Sequence, residues 1–176
     1  MSTYQIDTAH THAQFKVRHL MISNVKGEFS KVTGTIEFDD ANPSASSVTV
    51  SIDVNSINTR EPQRDADLKG ANFFDAAKFP TITFVSKGVV KSGDDSYEVV
   101  GDLTIHGVTQ TVDLDVEELT PEIKDPFGFF RRGASAKTTI LRSDFGLKYN
   151  AVLETGGVMI GDDVHITIDI EMTRKA

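Results

Sequence analysis

The chain has 176 residues, 39% of them hydrophobic, enough to bury a sizeable core within one domain, here 1–176. Against 18 basic side chains stand 26 acidic ones, and the formal net charge of -8 repels a phosphate backbone, which argues against nucleic acid as a partner. There are no cysteines, hence no disulfide framework, thiol nucleophile or cysteine-based zinc site.

The N-terminal run Met1-Ser-Thr-Tyr-Gln-Ile-Asp7 has neither a basic nor an apolar leader character, and no apolar stretch approaches the roughly 18 residues of a membrane-spanning helix. These features predict a soluble cytoplasmic chain, or a periplasmic one if a signal peptide has been removed.

Eight segments repeat apolar residues with a period of two, which is the pattern of strands with one buried face. In chain order the first inward sets are Ala13, Phe15 and Val17, then, after Gly27, Val32, Gly34, Ile36 and Phe38, then Val48, Val50, Ile52 and Val54. Residues 61–79 break the alternation. Pro62 suits a helix's first turn, so one or two short helices are expected here, divided near Gly70 and Asn72. Leu68, Phe73, Phe74 and Phe79 need cover, which puts this connection over an open barrel end as a plug or lid.

Next come Ile82 and Phe84, then Tyr97, Val99, Gly101, Leu103 and Ile105, then Val112, Leu114 and Val116, the last two sets joined as a hairpin at His106-Gly107. Residues 120–132 are irregular and carry Phe127, Phe129 and Phe130, either at a ligand entrance or in a small satellite core. Ala134, Ala136, Thr138 and Ile140 form the seventh set, and Val164, Ile166, Ile168, Ile170 and Met172 the eighth. Turn signals at Asp39–Pro43, Ser92–Asp95, His106-Gly107 and Gly161–Asp163 divide the segments.

One-sided alternation argues for antiparallel strands with a wet outer face. Eight of them close naturally into a barrel whose interior is either packed with side chains or holds one small ligand. The small inward residues Gly34, Gly101, Ala134 and Ala136 favour a hollow one.

Few residues suggest chemistry. His10 and His12 share one face of a strand that ends near His19, but two histidines lack the third ligand of a mononuclear site, so no metal is expected. No nucleophile elbow, phosphate loop or zinc-protease helix is present. The carboxylate pairs Asp39-Asp40, Asp94-Asp95, Glu117-Glu118 and Asp162-Asp163 fall at turns and strand ends, as solvated residues do. Arg142 shares the inward parity of Ala136 and Ile140 and so needs a partner. Either an acid such as Asp65, Asp67 or Asp144 pairs with it, or it clamps the polar head of a ligand. Arg60 and Arg64 carry the same two readings, with solvent exposure as a third.

The blocks Tyr4-Gln-Ile-Asp-Thr-Ala-His10, Phe15-Lys-Val-Arg-His19, Val25-Lys-Gly-Glu-Phe29, Asn58-Thr-Arg60, Arg64-Asp-Ala-Asp-Leu68, Asn72-Phe-Phe-Asp75, Phe79-Pro-Thr-Ile-Thr-Phe84, Gly101–Thr109 and Arg142-Ser-Asp-Phe-Gly146 resemble, in order, the YceI-like family. Tyr4 departs from the Trp common in that family, and His12 from a small or aliphatic residue. The resemblance implies an all-β fold, an extended eight-stranded antiparallel lipocalin-like barrel with a short helical cap, often dimeric. It also implies a long apolar pore for polyisoprenoid chains such as quinones or prenyl phosphates, or for other long-chain amphiphiles, without catalysis or a cofactor.

The residues expected to contact such a ligand are Phe15, Val17, His19, Phe29, Ile36 and Phe38 on the first strands, with Val50 and Ile52 on the next. Leu68, Phe73 and Phe74 come from the cap, followed by Ile82, Phe84, Leu103 and Leu114. Ala134, Ala136, Ile140, Arg142 and Phe145 belong to the seventh strand and its end, and Ile166 and Ile168 to the last. Each methylene withdrawn from water contributes about 0.8 kcal/mol, so a long chain needs no polar anchor. The expected function is carriage or sequestration of an isoprenoid lipid by a homodimer. The alternatives are a lipocalin-like enzyme using the histidines near the first strand and a solid barrel working through its outer surface.

Overall fold

In the computed structural model, which describes residues 1–176, the alternating segments form one antiparallel sheet that closes on itself. Its strands are β1 (Ser2–Ile6), β2 (His12–His19), β3 (Ser23–Phe29), β4 (Val32–Phe38), β5 (Ser47–Asp53) and β6 (Ile57–Asn58). After the helix α1 (Pro62–Lys69) follow β7 (Thr81–Lys91), β8 (Tyr97–Ile105), β9 (Val108–Glu117), β10 (Ile123–Lys124), β11 (Phe129–Leu141) and β12 (Ile160–Lys175). Around the ring the order is β11, β9, β8, β7, β5, β4, β1 and β12, and β12 returns to β11. The seam is a continuous antiparallel pairing that runs from Phe129 opposite Lys175 to Leu141 opposite Asp163.

β12 is long enough to serve two more neighbours in turn, pairing with β1 at Met172 and Thr173 and with β2 from Ile160 to Asp169. This is possible because β1 and β2 are one bent strand, as are β3 with β4 and β5 with β6. Counted so, the barrel has eight strands. All three bends lie side by side, and local groups satisfy the backbone there. Thr11 exchanges hydrogen bonds with the main chain of Glu171, Thr8 donates to the Val32 carbonyl, and the Ser56 hydroxyl accepts the Lys31 N–H. Above the bends, β2 and β3 carry the wall up toward α1.

Several expectations need correction. β1 and β3 are strands that alternation did not reveal, because each puts few apolar residues inward. Gly27 lies inside β3 rather than before a strand; a Cβ there would come within 2.4 Å of the Phe15 ring, which occupies the space. Gly161–Asp163 is no turn but part of β12, where the register against β2 shifts between Ile160 and Val164 as a bulge. Of the one or two helices expected in residues 61–79, one forms and ends at Gly70 as expected; Glu61 caps it by accepting the N–H groups of Gln63 and Arg64, and Gly70 closes it with an N–H to the Asp67 carbonyl. Residues 129–132 belong to β11. The room expected at Gly34 and Gly101 is taken by Ile6 and the Phe84 ring.

The lower end of the barrel is sealed. Arg132, buried, donates to the Thr120 carbonyl and with Nη1 to both carboxylate oxygens of Asp40, and its guanidinium lies 5.1 Å from the Phe38 ring, which in turn meets Tyr97 edge-on at 5.4 Å. Beside it the Tyr4 hydroxyl donates to Glu122, whose two oxygens also accept Nε and Nη2 of Arg174 at 2.8 and 2.6 Å. Burial, with the Glu122 carboxylate next, pushes the Tyr4 phenol above its ordinary pKa.

Because a Cβ at position 34 would sit 2.2 Å from the Thr49 carbonyl oxygen, Gly34→Ala forces β4 away from β5 and is expected to cost about 1–3 kcal/mol or more in denaturant unfolding. Gly88→Ala, where a Cβ meets nothing within 4 Å, is the matched control and is expected to be near neutral.

Candidate functional site

Side chains do not fill the interior above the seal. A cavity of about 930 Å³ runs through the barrel, and 40 of its 53 lining residues are hydrophobic. A well-packed interior has few voids larger than one water, whereas this space equals roughly 30 waters' share of liquid volume and lies near the top of the ~300–1,000 Å³ range of ligand pockets. The inward residues of β12, Val164, Ile166, Ile168 and Ile170, are only partly buried although they point inside, because they face this void and not other side chains.

Of the residues expected at the ligand, Phe15, Val17, His19, Phe29, Ile36, Phe38, Val50, Ile52, Leu68, Phe73, Phe74, Ile82, Phe84, Leu103, Leu114, Ala134, Ala136, Ile140, Arg142, Ile166 and Ile168 line the cavity. Phe145 does not. It lies in the short helical turn Arg142–Phe145, packed in the core at 1% exposure, because the chain leaves the strand at Leu141 and turns away. Sequence reasoning missed Ile6, Val25 and Leu119 along the wall, Gln14 and Arg18 on the polar face of β2, and, at the mouth, Leu147, Tyr149 and Met159 from a loop without periodicity. α1 and the turns after it contribute Arg64, Leu68, Phe73 and Phe74, so this segment caps the upper end; Phe73 meets Tyr149 edge-on at 5.2 Å.

None of the acids expected beside Arg142 accepts a hydrogen bond from it. Nε donates to the Gly161 carbonyl at 2.8 Å, Nη1 to those of Leu147 and Tyr149 at 2.6 and 3.0 Å, and Nη2 to that of Ile160 at 3.3 Å. Asp65 instead binds the Thr59 N–H and hydroxyl, and Asp67 the Gln63 amide. The reason is local: Gly146, left-handed at φ 76°, folds the chain back so that carbonyls surround the guanidinium, and the β12 bulge supplies the other two. Burial lowers its pKa, opposed by the Asp162 charge, yet a guanidinium remains charged. These bonds use four of its five N–H groups. Arg142 thus builds the mouth and brings to the cavity wall a positive charge with no carboxylate in hydrogen-bond contact, Asp162 being the nearby counter-charge. Arg64, also on that wall, is held by the Thr59 hydroxyl and carbonyl, whereas Arg60 is exposed.

The histidines do not converge. His10 sits in the bend Thr8–His10, not on the strand, and its Nδ1 lies 3.0 Å from Asp7, while His12 faces Glu28 at 3.6 Å and His19 lines the cavity. Asp7, His10 and Glu171 do cluster, but Arg131 already occupies the carboxylates, with Nη1 at 2.8 Å from Asp7 and 2.6 Å from Glu171 and Nε at 2.6 Å from Asp125. The aromatic residues of 120–130 mark no entrance. Phe127 is 82% exposed at the sealed end, and Phe130 packs under Arg174 at 4.3 Å.

With the barrel, cap and cavity described, comparison with known proteins identifies the lineage: the YceI-like domain matches residues 4–172. The chain belongs to the YceI-like family. A UPF0312 protein of Staphylococcus aureus strain MSSA476 is 39% identical over 174 residues, 98% of each chain, and one of Pectobacterium atrosepticum is 38% identical, covering 98% of this chain and 86% of that one. Among solved structures, Burkholderia cenocepacia BcnA aligns with a TM-score of 0.82 at 25% identity, covering 94% and 98%. The Campylobacter jejuni YCEI protein aligns with 0.75 at 34%, covering 92% and 91%. A polyisoprenoid-binding domain from Saccharophagus degradans shares the fold, with a TM-score of 0.70 at 18% identity over 96% and 97%.

Two predictions follow from the charged groups of this YceI-like barrel. Arg142→Ala strands four main-chain carbonyls and is expected to destabilise by roughly 3 kcal/mol or more in denaturant unfolding. The hydrogen bond that His10 Nδ1–H donates to the Asp7 carboxylate holds the imidazole above its ordinary pKa. Stabilisation from this pair is therefore full below about pH 6.5 and lost as pH rises through the folded value. The Tm difference between wild type and His10→Gln is expected to shrink from pH 5.5 to pH 8.5; a constant difference would show that the pair contributes nothing.

Proposed function

We propose that the protein binds a long-chain isoprenoid lipid, of the quinone or prenyl phosphate type, inside the barrel and carries or sequesters it. The 930 Å³ apolar cavity, sealed below and capped above, carries this reading. A polar substrate would leave that wall unsatisfied, while an aliphatic chain gains about 0.8 kcal/mol for each methylene it buries. The ligand-contacting side chains are those that line the cavity, with Arg142 and Arg64 at the end where a head group would rest. Since no carboxylate hydrogen-bonds to Arg142, an anionic head gains more there than a neutral one.

The reading assigns no catalysis and no cofactor. Of the three N-terminal histidines only His19 reaches the cavity, so the alternative of a histidine-based enzyme lacks a constellation. Carriage in the cytoplasm by a homodimer completes the reading, and cell fractionation and sedimentation velocity test those two parts.

Mass spectrometry of an organic extract of gently purified protein is expected to find a stoichiometric prenyl lipid; a bound metal with no lipid would favour the enzyme reading. Ile166→Trp directs its extra volume into the void, so unfolding stability is expected to stay within about 1 kcal/mol of wild type while lipid retention is lost. A large destabilisation with lipid still bound would place the ligand elsewhere.

A further inference from the structure

The hairpin tip between β2 and β3 breaks two rules at once. Leu20 and Met21 occupy consecutive left-handed positions, φ 51° and 64°, closed by the Ile22 N–H to the His19 carbonyl at 3.1 Å. Such a turn favours Asn and Gly, and bulky side chains there carry strain. These bulky side chains are also left in water, Met21 at 53% and Ile22 at 75% exposure, with Val152 of the neighbouring loop at 83%. Strain and exposure together yield no stability, so the tip's sequence answers to something outside the fold.

Its position says what. The Leu20 N–H donates to the Met159 carbonyl at 2.8 Å, and Arg18 and His19 below it and Met159 beside it line the cavity. The tip therefore forms the rim of the mouth. Charge supports the same conclusion: from Ala13 to Gly27 the hairpin carries Lys16, Arg18 and Lys26 and no acidic residue, in a chain of net charge -8, and Lys148 adds another cation on the adjacent loop. Nearby Asp162 is engaged by Ser143, and Glu154 is the one acid of the loop.

We propose that the β2–β3 tip docks the barrel mouth onto an anionic lipid bilayer, so that a chain passes between membrane and cavity without crossing water. Basic residues around an exposed apolar tip are the pattern of interfacial attachment, in which aliphatic groups enter the headgroup boundary and cations meet anionic lipids. This deepens the cavity reading and rests on it for the purpose of docking, not for its existence.

The test is flotation of the full chain with vesicles of phosphatidylcholine alone or mixed with phosphatidylglycerol. Wild type is expected to float with the anionic vesicles and to be released when salt rises from about 0.1 to about 1 M. Ile22→Asp and the pair Lys16→Glu with Lys26→Glu are each expected to lower the bound fraction by about tenfold, and Phe127→Asp, at the sealed end, to leave it unchanged. Circular dichroism confirms that each variant is folded. Failure of wild type to float, equal loss with Phe127→Asp, or a tip-dependent dimer by sedimentation would overturn the proposal, the last in favour of a second copy of this chain. Lipid content of the same preparations is measured in parallel: floating without extracted lipid would sink the cavity reading alone, and retained lipid without floating would sink docking alone.

Discussion

Everything in this molecule depends on the pairing of β11 with β12. That seam closes the sheet, leaving the two-residue strands β6 and β10 at its edges, and fixes how far apart opposite walls stand. Closure at eight strands sets the circumference and permits either a packed or a hollow interior; here the inward side chains leave about 930 Å³ between the walls. This cavity persists because hydrogen bonds around the ring hold the wall, so the barrel does not collapse on the void as a helical bundle would.

A hollow barrel must still manage its two ends, and it does so with different chemistry. Below, cations are matched to carboxylates and stacked on rings, buried Arg132 with Asp40 and Phe38, half-buried Arg174 with Glu122 and Phe130. Above, Arg142 is matched to main-chain carbonyls, which satisfy hydrogen bonds without cancelling its charge. The same residue type therefore seals one end and, at the other, frames the mouth without a carboxylate in hydrogen-bond contact. The bent strands complete this asymmetry: the bends between β1 and β2, β3 and β4, and β5 and β6 let one face of the wall rise beyond the ring and meet the helical cap.

Alternation along single strands was enough to read antiparallel order, eight strands and the inward faces, because the period-2 pattern is local and survives without partners. Ile166, Ile168, Leu114 and Phe84 were legible as cavity wall for that reason. Phe145 was not, since parity continued past Leu141 after the chain had left the strand. Gly34 and Gly101 misled in the opposite way: a small residue signals missing volume, but only its neighbours determine whether that volume is empty, and there Ile6 and Phe84 fill it.

The sequence by itself determined the class of fold, the hydrophobic lining, the family resemblance and the presence of a buried-parity Arg142. Only the tertiary structure decided that the barrel is hollow, which carbonyls surround that guanidinium, that His10 belongs with Asp7 and Arg131 instead of His12, and that Leu20 to Ile22 stand at the mouth. The physical reason is one of range. Periodicity and composition act between residues a few places apart, whereas void volume, charge compensation and exposure depend on groups from strands far apart in the chain that meet only when β11 closes on β12.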